Sequence, residues 1–200
     1  MQIYLASSSP RRREILRGLG LSFLVVPTEV EENLPAGVPP GEAVCSVARD
    51  KVMAVPLPAE EEFALAADTV VVRDGEILGK PRDQLEAEWM LESLAGRAHR
   101  VYTGVALRHG GEVLTDHEAT TVWLRRLTTA EIRAYAATQE PLDKAGAYAI
   151  QGVGSLLVDR IDGSYTNVVG LPLGLLGKMF KSFGVDLLEL ATKAWMGGSW

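Results

Sequence analysis

A carboxylate set inside an apolar, strand-forming run is the feature that most limits the folds open to this sequence. The stretch is EEFALAADTVVVRDGEILGKP, residues 61–81. Residues 63–67 are apolar, Asp68 interrupts them, and residues 69–72 resume the β-branched pattern that suits strands. Asp74-Gly75 is a turn signal, and Glu76, Ile77 and Leu78 read as the return strand of a hairpin ended by Gly79-Lys80-Pro81. A carboxylate within a sheet is costly unless something pairs with it. Three readings of Asp68 follow: a cap on a strand edge, a partner for Lys80, or a metal or proton-transfer site.

The 200 residues fit one domain, with room for two lobes. With 47% hydrophobic and 23% charged residues, the chain can fill a core. The net charge of -6 argues against a general nucleic-acid binder, so any anionic ligand has to be met by local basic clusters. Cys45 is the only cysteine, so there is no internal disulfide, which matches a reducing compartment and an expected cytoplasmic location. The start, MQIYLASSSPRRR, has too short an apolar segment for a signal peptide. No run approaches the roughly 18 apolar residues of a membrane span, so no membrane partner is expected. Residues 196–200 read as a loose tail after a single domain over 1–195.

Residues 2–6 read as a short buried strand. Ser9 then suits a helix N-cap and Pro10 the first helical position. Arg11, Arg12 and Arg13 follow in the first turn, where negative charge is favoured. An anion held by free backbone N–H groups, serine hydroxyls and arginines resolves that conflict. A solvated arginine cluster is the alternative. Residues 21–27 read as a second strand, and in the acidic run after it Glu32 is a candidate metal ligand. Residues 42–55 read as a helix with Lys51 on or beside its apolar face, either snorkelling to water or pointing into a cleft.

Asp83 caps a helix whose stripe is Ala87, Met90, Leu91 and Leu94. Residues 101–107 and 112–127 read as strands. Thr128 with Glu131 is a capping-box pattern opening a helix over 129–137. Residues 141–155, PLDKAGAYAIQGVGS, are too polar and Gly-rich for a regular element, and such long irregular stretches are often functional. A strand over 156–161 and a last helix from Pro172 to about Phe183 complete an α/β chain with a mixed sheet. Gly79-Lys80-Pro81 is not a P-loop, and Gly152-Val153-Gly154 lacks the dinucleotide fingerprint. His99, His109 and His117 lack zinc spacing, and Ser7, Ser8 and Ser9 have no nearby His–Asp pair to activate them.

Seven ordered segments together resemble the Maf family of nucleoside triphosphate pyrophosphatases. They are LASSSPRR (5–12), ARDK (48–51), AADTVV (66–71), GKPRD (79–83), HRVYTGV (99–105), DKAGAYAIQG (143–152) and DGSYTNVVGLPL (162–173). The resemblance implies an elongated mixed sheet with flanking helices and two lobes around a central cleft, as in inosine triphosphate pyrophosphatases. It also implies metal-dependent hydrolysis of a nucleoside triphosphate to the monophosphate and pyrophosphate, with Mg²⁺ or Mn²⁺ as cofactor.

The family's general base lands on Asp68, which also ligates the metal, and the acid after the second strand lands on Glu32. Its phosphate-contacting residues land on Ser7, Arg11, Arg12, Lys51 and Lys80. The DKAGAY-x-IQG form looks like the branch that takes dTTP and UTP, for which Arg11, Thr69 and Gln151 are tied to base choice. Ala149 departs from the family's usual Gly. The implied role is house-cleaning of unwanted nucleotides. A purine or methylated base, or a nucleotide-binding regulator of cell division with little turnover, are the competing readings. Family members are often dimers, and a homodimer is expected on that analogy alone.

Overall fold

The computed structural model describes residues 1–30, 34–35 and 37–197. Among them, seven strands form one sheet in the order β2-β1-β3-β5-β6-β7, with β4 paired to β3. β1 (Ile3–Leu5) runs parallel to β2 (Phe23–Val25) and to β3 (Phe63–Arg73), in registers Ile3↔Phe23 and Ile3↔Phe63. α1 (Pro10–Gly18) makes the crossover that a parallel β1–β2 pair requires. β4 (Glu76–Leu78) returns antiparallel on β3, with Val71 opposite Leu78, so the hairpin expected around Asp74-Gly75 is present. β5 (Ala98–His109) and β6 (Glu112–Leu124) follow, and β7 (Val158–Asp162) is antiparallel to β6. The mixed α/β sheet matches the fold class read from the sequence.

The chain separates into two compact units. The first comprises the described residues of Met1–Asp68, Thr103–Glu118 and Gly170–Trp200. Its core gathers Ile3, Leu5, Leu16, Phe63, Leu65, Leu107 and Phe180, all buried. Phe63 stacks on His109 at 4.2 Å between ring centroids and tilts against Phe180 at 5.0 Å. A second cluster of mostly small residues, Ala48, Val52, Ala64, Ala66 and Ala106, contains residues of both α2 (Pro40–Met53) and the sheet. The small side chains let helix and sheet approach, and Gly104 takes this to its limit. A Cβ there would lie 2.5 Å from the Val44 carbonyl carbon and 2.6 Å from the Cys45 amide nitrogen.

The second unit comprises Thr69–Tyr102 and Ala119–Val169. Its core contains Val71, Leu78, Leu91, Leu94, Val101, Val122, Tyr135 and Tyr148. Two of its helices start as their sequences indicate. Asp83 accepts the Glu86 N–H at 2.8 Å ahead of α3 (Gln84–Leu94). Thr128 and Glu131 form the full capping box ahead of α4 (Thr129–Ala136). Each such cap is worth about 1 kcal/mol.

Several boundaries differ from the sequence reading. β2 is only three residues long, and β7 begins at Val158 because 3-10 turns occupy Gly152–Leu157. Two short helices were not anticipated, α5 (Tyr165–Val169) and the C-terminal α7 (Leu187–Gly197). Between them lies the expected α6 (Leu173–Ser182). α7 buries Leu187 and Ala191, so Met196 and Gly197 are helical rather than tail, and residues 198–200 lie outside the described residues. No helix among the described residues is long and apolar enough to cross a membrane.

In the second unit His99 is 3% exposed, and its Nε2 lies 2.7 Å from the Tyr148 hydroxyl. Burial holds its pKa down from 6.5 to about 4. The unfolded chain therefore binds a proton between those values that the folded chain refuses, and stability falls as the pH drops through that window. The full contribution is about 3 kcal/mol. Chemical denaturation at pH 7 and pH 4.5 should show wild type losing more stability than His99→Gln. Equal losses in the two proteins would remove His99 from the account.

Candidate active site

The residues singled out by sequence fall into two groups, one in each compact unit. In the first, Asp68 sits on β3, a strand with neighbours on both sides in the sheet. The reading of Asp68 as a strand-edge cap therefore does not hold. Residues 63–65 of β3 pair with β1 and residues 71–73 with β4, so Asp68 falls between the two registers. Its side chain is answered by Lys51, whose Nζ donates to Oδ1 at 2.9 Å. Both side chains are nearly inaccessible, at 8% for Lys51 and 10% for Asp68. Lys51 does not snorkel to water. It leaves the buried face of α2 beside Ala48 and Val52 and reaches the carboxylate.

A buried ion pair of this kind rarely repays its own desolvation, so stability alone is a poor reason for keeping it. It gives the carboxylate a fixed position and a balancing cation, which suits proton transfer or metal binding. Asp68 offers a hard oxygen donor. No group of three or more His, Cys, Asp or Glu residues able to hold a metal occurs among the described residues. That donor set fits Mg²⁺, which protein sites hold with one or two carboxylates, waters and substrate phosphate oxygens. Glu32, the second metal ligand expected from the sequence, lies outside the described residues.

The start of α1 is built differently from the sequence reading. Ser9 is the N-cap residue, yet its side chain makes no capping bond, and the first turn holds no acid. The serine that matters is Ser7, which is 7% exposed. Its Oγ accepts from the Ser9 N–H and from Arg12 Nη1, each at 3.2 Å. With both lone pairs engaged, the hydroxyl has its own proton left to give, which makes it a donor suited to an anion. Arg12 is 9% exposed and donates from Nε to the Gly170 carbonyl at 2.8 Å. Arg12 is therefore not part of a solvated cluster. This bond ties Arg12 to Gly170, residues from two of the stretches that carried the resemblance, 5–12 and 162–173. Arg11 and Arg13 are half-buried, and Arg13 donates to the Ser8 carbonyl at 3.3 Å.

In the second unit, Thr69 is half-buried on β3, Lys80 is exposed just after β4, and Gln151 is half-buried in the irregular segment. That segment is fastened rather than loose. The Gly146 N–H donates to the Gly79 carbonyl at 3.0 Å, next to Lys80. Gln139 and Ala147 have φ of 61° and 59°, a left-handed conformation uncommon for residues with a Cβ and usually held only where surrounding contacts require it. Ala149, the departure from the family's Gly, is not among the residues with positive φ, so the extra methyl meets no backbone obstacle there.

Sequence reasoning missed Tyr135 and Glu140, which bond to this segment across as many as 14 residues. Its one available signal was the irregularity of the segment itself. Cys45 is half-buried, and burial pushes its thiol up to about 11, so it has little nucleophilic character. Iodoacetamide at pH 8 should label native Cys45 at least about tenfold more slowly than the denatured chain. Equal rates would contradict its buried setting.

The sequence profile of the Maf family, described as Maf-like protein, matches residues 2–183. A protein of Symbiobacterium thermophilum named dTTP/UTP pyrophosphatase is 50% identical over 186 residues, covering 93% of this chain and 96% of its own. One of Pelotomaculum thermopropionicum with the same name is 47% identical over 189 residues, covering 94% and 99%. Among solved structures, the Ham1 protein of Staphylococcus aureus aligns with a TM-score of 0.45 at 12% identity, over 79% of this chain and 80% of that one. That alignment is too loose to bear on fold or activity.

Proposed function

This chain belongs to the Maf family, and from that premise we propose that it hydrolyses dTTP and UTP to the nucleoside monophosphate and pyrophosphate. The names of the relatives supply the reaction and the bases. On this chain, the observation that carries the reading is the buried Lys51–Asp68 pair with Nζ 2.9 Å from Oδ1. A pure binding protein gains little from a costly buried acid–base pair, whereas a hydrolase needs a fixed carboxylate. The regulator reading is accordingly disfavoured.

In the proposed reaction, water attacks the α-phosphorus, the bond to the α–β bridging oxygen breaks, and pyrophosphate leaves. Asp68 takes the proton of the attacking water, and Lys51 orients and balances the carboxylate. Ser7 donates its hydroxyl proton to a phosphate oxygen, with Arg12 holding that hydroxyl in place. Arg11 and Lys80 supply positive charge to the triphosphate. Thr69 and Gln151 meet the base, for which an amide side chain offers both a donor and an acceptor. A divalent cation, Mg²⁺ or Mn²⁺, would be held by Asp68 with substrate phosphate oxygens. When bound it neutralises charge on the leaving group.

The test is a panel of common and modified nucleoside triphosphates with Mg²⁺, with pyrophosphate and orthophosphate quantified separately. Pyrophosphate from dTTP and UTP, at kcat/KM at least about tenfold above the other nucleotides, is the expected result. Orthophosphate release, or no turnover with nucleotide binding intact, would falsify the reading.

A further inference from the structure

Gln151 lies at the middle of a short arch whose two ends are tied to one pair of side chains. Before it, the Ala149 N–H donates to the Tyr135 hydroxyl at 3.2 Å. After it, the Val153 N–H donates to Glu140 Oε2 at 3.3 Å and the Gly154 N–H to Glu140 Oε1 at 3.1 Å. The pair closes on itself, because the Tyr135 hydroxyl donates to Glu140 Oε1 at 2.9 Å. Tyr135 is 3% exposed, and burial, reinforced by the bond to Glu140, raises its pKa, so the phenol keeps the proton it donates. Gly154 approaches so closely that a Cβ there would stand 2.5 Å from both the Tyr135 hydroxyl and the Ala149 carbonyl oxygen. Glu140 is fixed in turn, since Lys144 Nζ bonds both its backbone carbonyl and the Asp143 carboxylate.

We propose that Tyr135 and Glu140 are a positioning pair that sets base preference by holding the 149–154 arch, and with it Gln151, in one conformation. The inference rests on the proposed reading in which Gln151 meets the base. Neither residue needs to touch the nucleotide. Their effect passes through the backbone on both sides of Gln151, so it belongs in substrate affinity and discrimination rather than in the hydrolytic step.

Two variants test this. Glu140→Gln replaces one accepting oxygen by an NH₂ that faces an N–H, and Tyr135→Phe removes a single oxygen with little change in volume. In each, KM for dTTP and UTP should rise about tenfold, kcat should change by less than about twofold, and the kcat/KM preference for dTTP over CTP should fall about tenfold. In a Gln151→Ala background the same substitutions should have no further effect on that preference. Tyr135→Phe carries the test if Glu140→Gln does not fold. A folded variant with lowered Tm but unchanged KM and preference overturns the proposal, as does an undiminished effect in the Gln151→Ala background. No pyrophosphate from dTTP or UTP with wild type would instead sink the reading on which the proposal rests. Normal wild-type turnover with unaltered variants sinks the proposal alone.

Discussion

Asp68→Asn is expected to lower kcat for pyrophosphate release from dTTP and UTP about 10³-fold, the range in which a positioned general base contributes. The amide keeps the size of the carboxylate but loses its charge, its basicity and most of its attraction for a cation. The substitution also replaces the carboxylate that the buried Lys51 ammonium meets at 2.9 Å with a neutral amide, at a cost of about 3 kcal/mol in stability. The two effects separate in a second set of variants. Lys51→Met alone strands the carboxylate and should destabilise by a similar amount. Lys51→Met with Asp68→Leu should recover most of the stability, because a buried pair can be replaced by apolar groups at little cost, yet remain inactive. The measurements are kcat at saturating nucleotide and the midpoint of urea unfolding. An Asp68→Asn protein that is folded and retains more than about a tenth of wild-type kcat would rule out Asp68 as the base. A double variant no more stable than the singles would mean that the pair is kept for the fold.

Gly104→Ala should be the most damaging small substitution in the first unit. The added methyl would sit 2.5 Å from the Val44 carbonyl carbon and 2.7 Å from its oxygen. These are backbone atoms of α2, which no change of rotamer can move aside. Either the helix lifts off β5 or the strand bends, and both open the cluster of Ala48, Val52, Ala64 and Ala106. A loss of about 3 kcal/mol is expected, or about 9 °C in Tm for a chain of this length. Because Lys51 is on the same helix, residual activity should fall as well, with a larger effect on kcat than on KM. Gly18→Ala is the control. A Cβ there meets nothing within 4 Å, and Tm should stay within about 2 °C of wild type. A Gly104→Ala protein that melts with wild type would show that helix and strand can part without cost.

Much of this protein is determined locally. The hairpin at Asp74-Gly75, the caps at Asp83 and Thr128, and the start of α1 at Pro10 follow from turn and cap chemistry confined to a few consecutive residues. The importance of Asp68 was also legible, since a carboxylate in an apolar strand needs a reason wherever the strand goes. Its partner was not. Lys80 was the neighbour available by proximity in the chain, whereas Lys51 arrives from a helix 17 residues earlier, brought there by packing of the small residues around it. For Arg12 the sequence offered an anion site or a solvated arginine cluster, and only the fold delivers the Gly170 carbonyl 158 residues away. By periodicity and composition, the segment 141–155 showed itself only as an absence of regular pattern. Its conformation is decided by Tyr135, Glu140 and His99, whose bonds to it are side-chain contacts with no period and no fixed spacing. Local sequence determines which backbone conformations are cheap. Which polar groups meet in the interior depends on the long-range packing that brings them there.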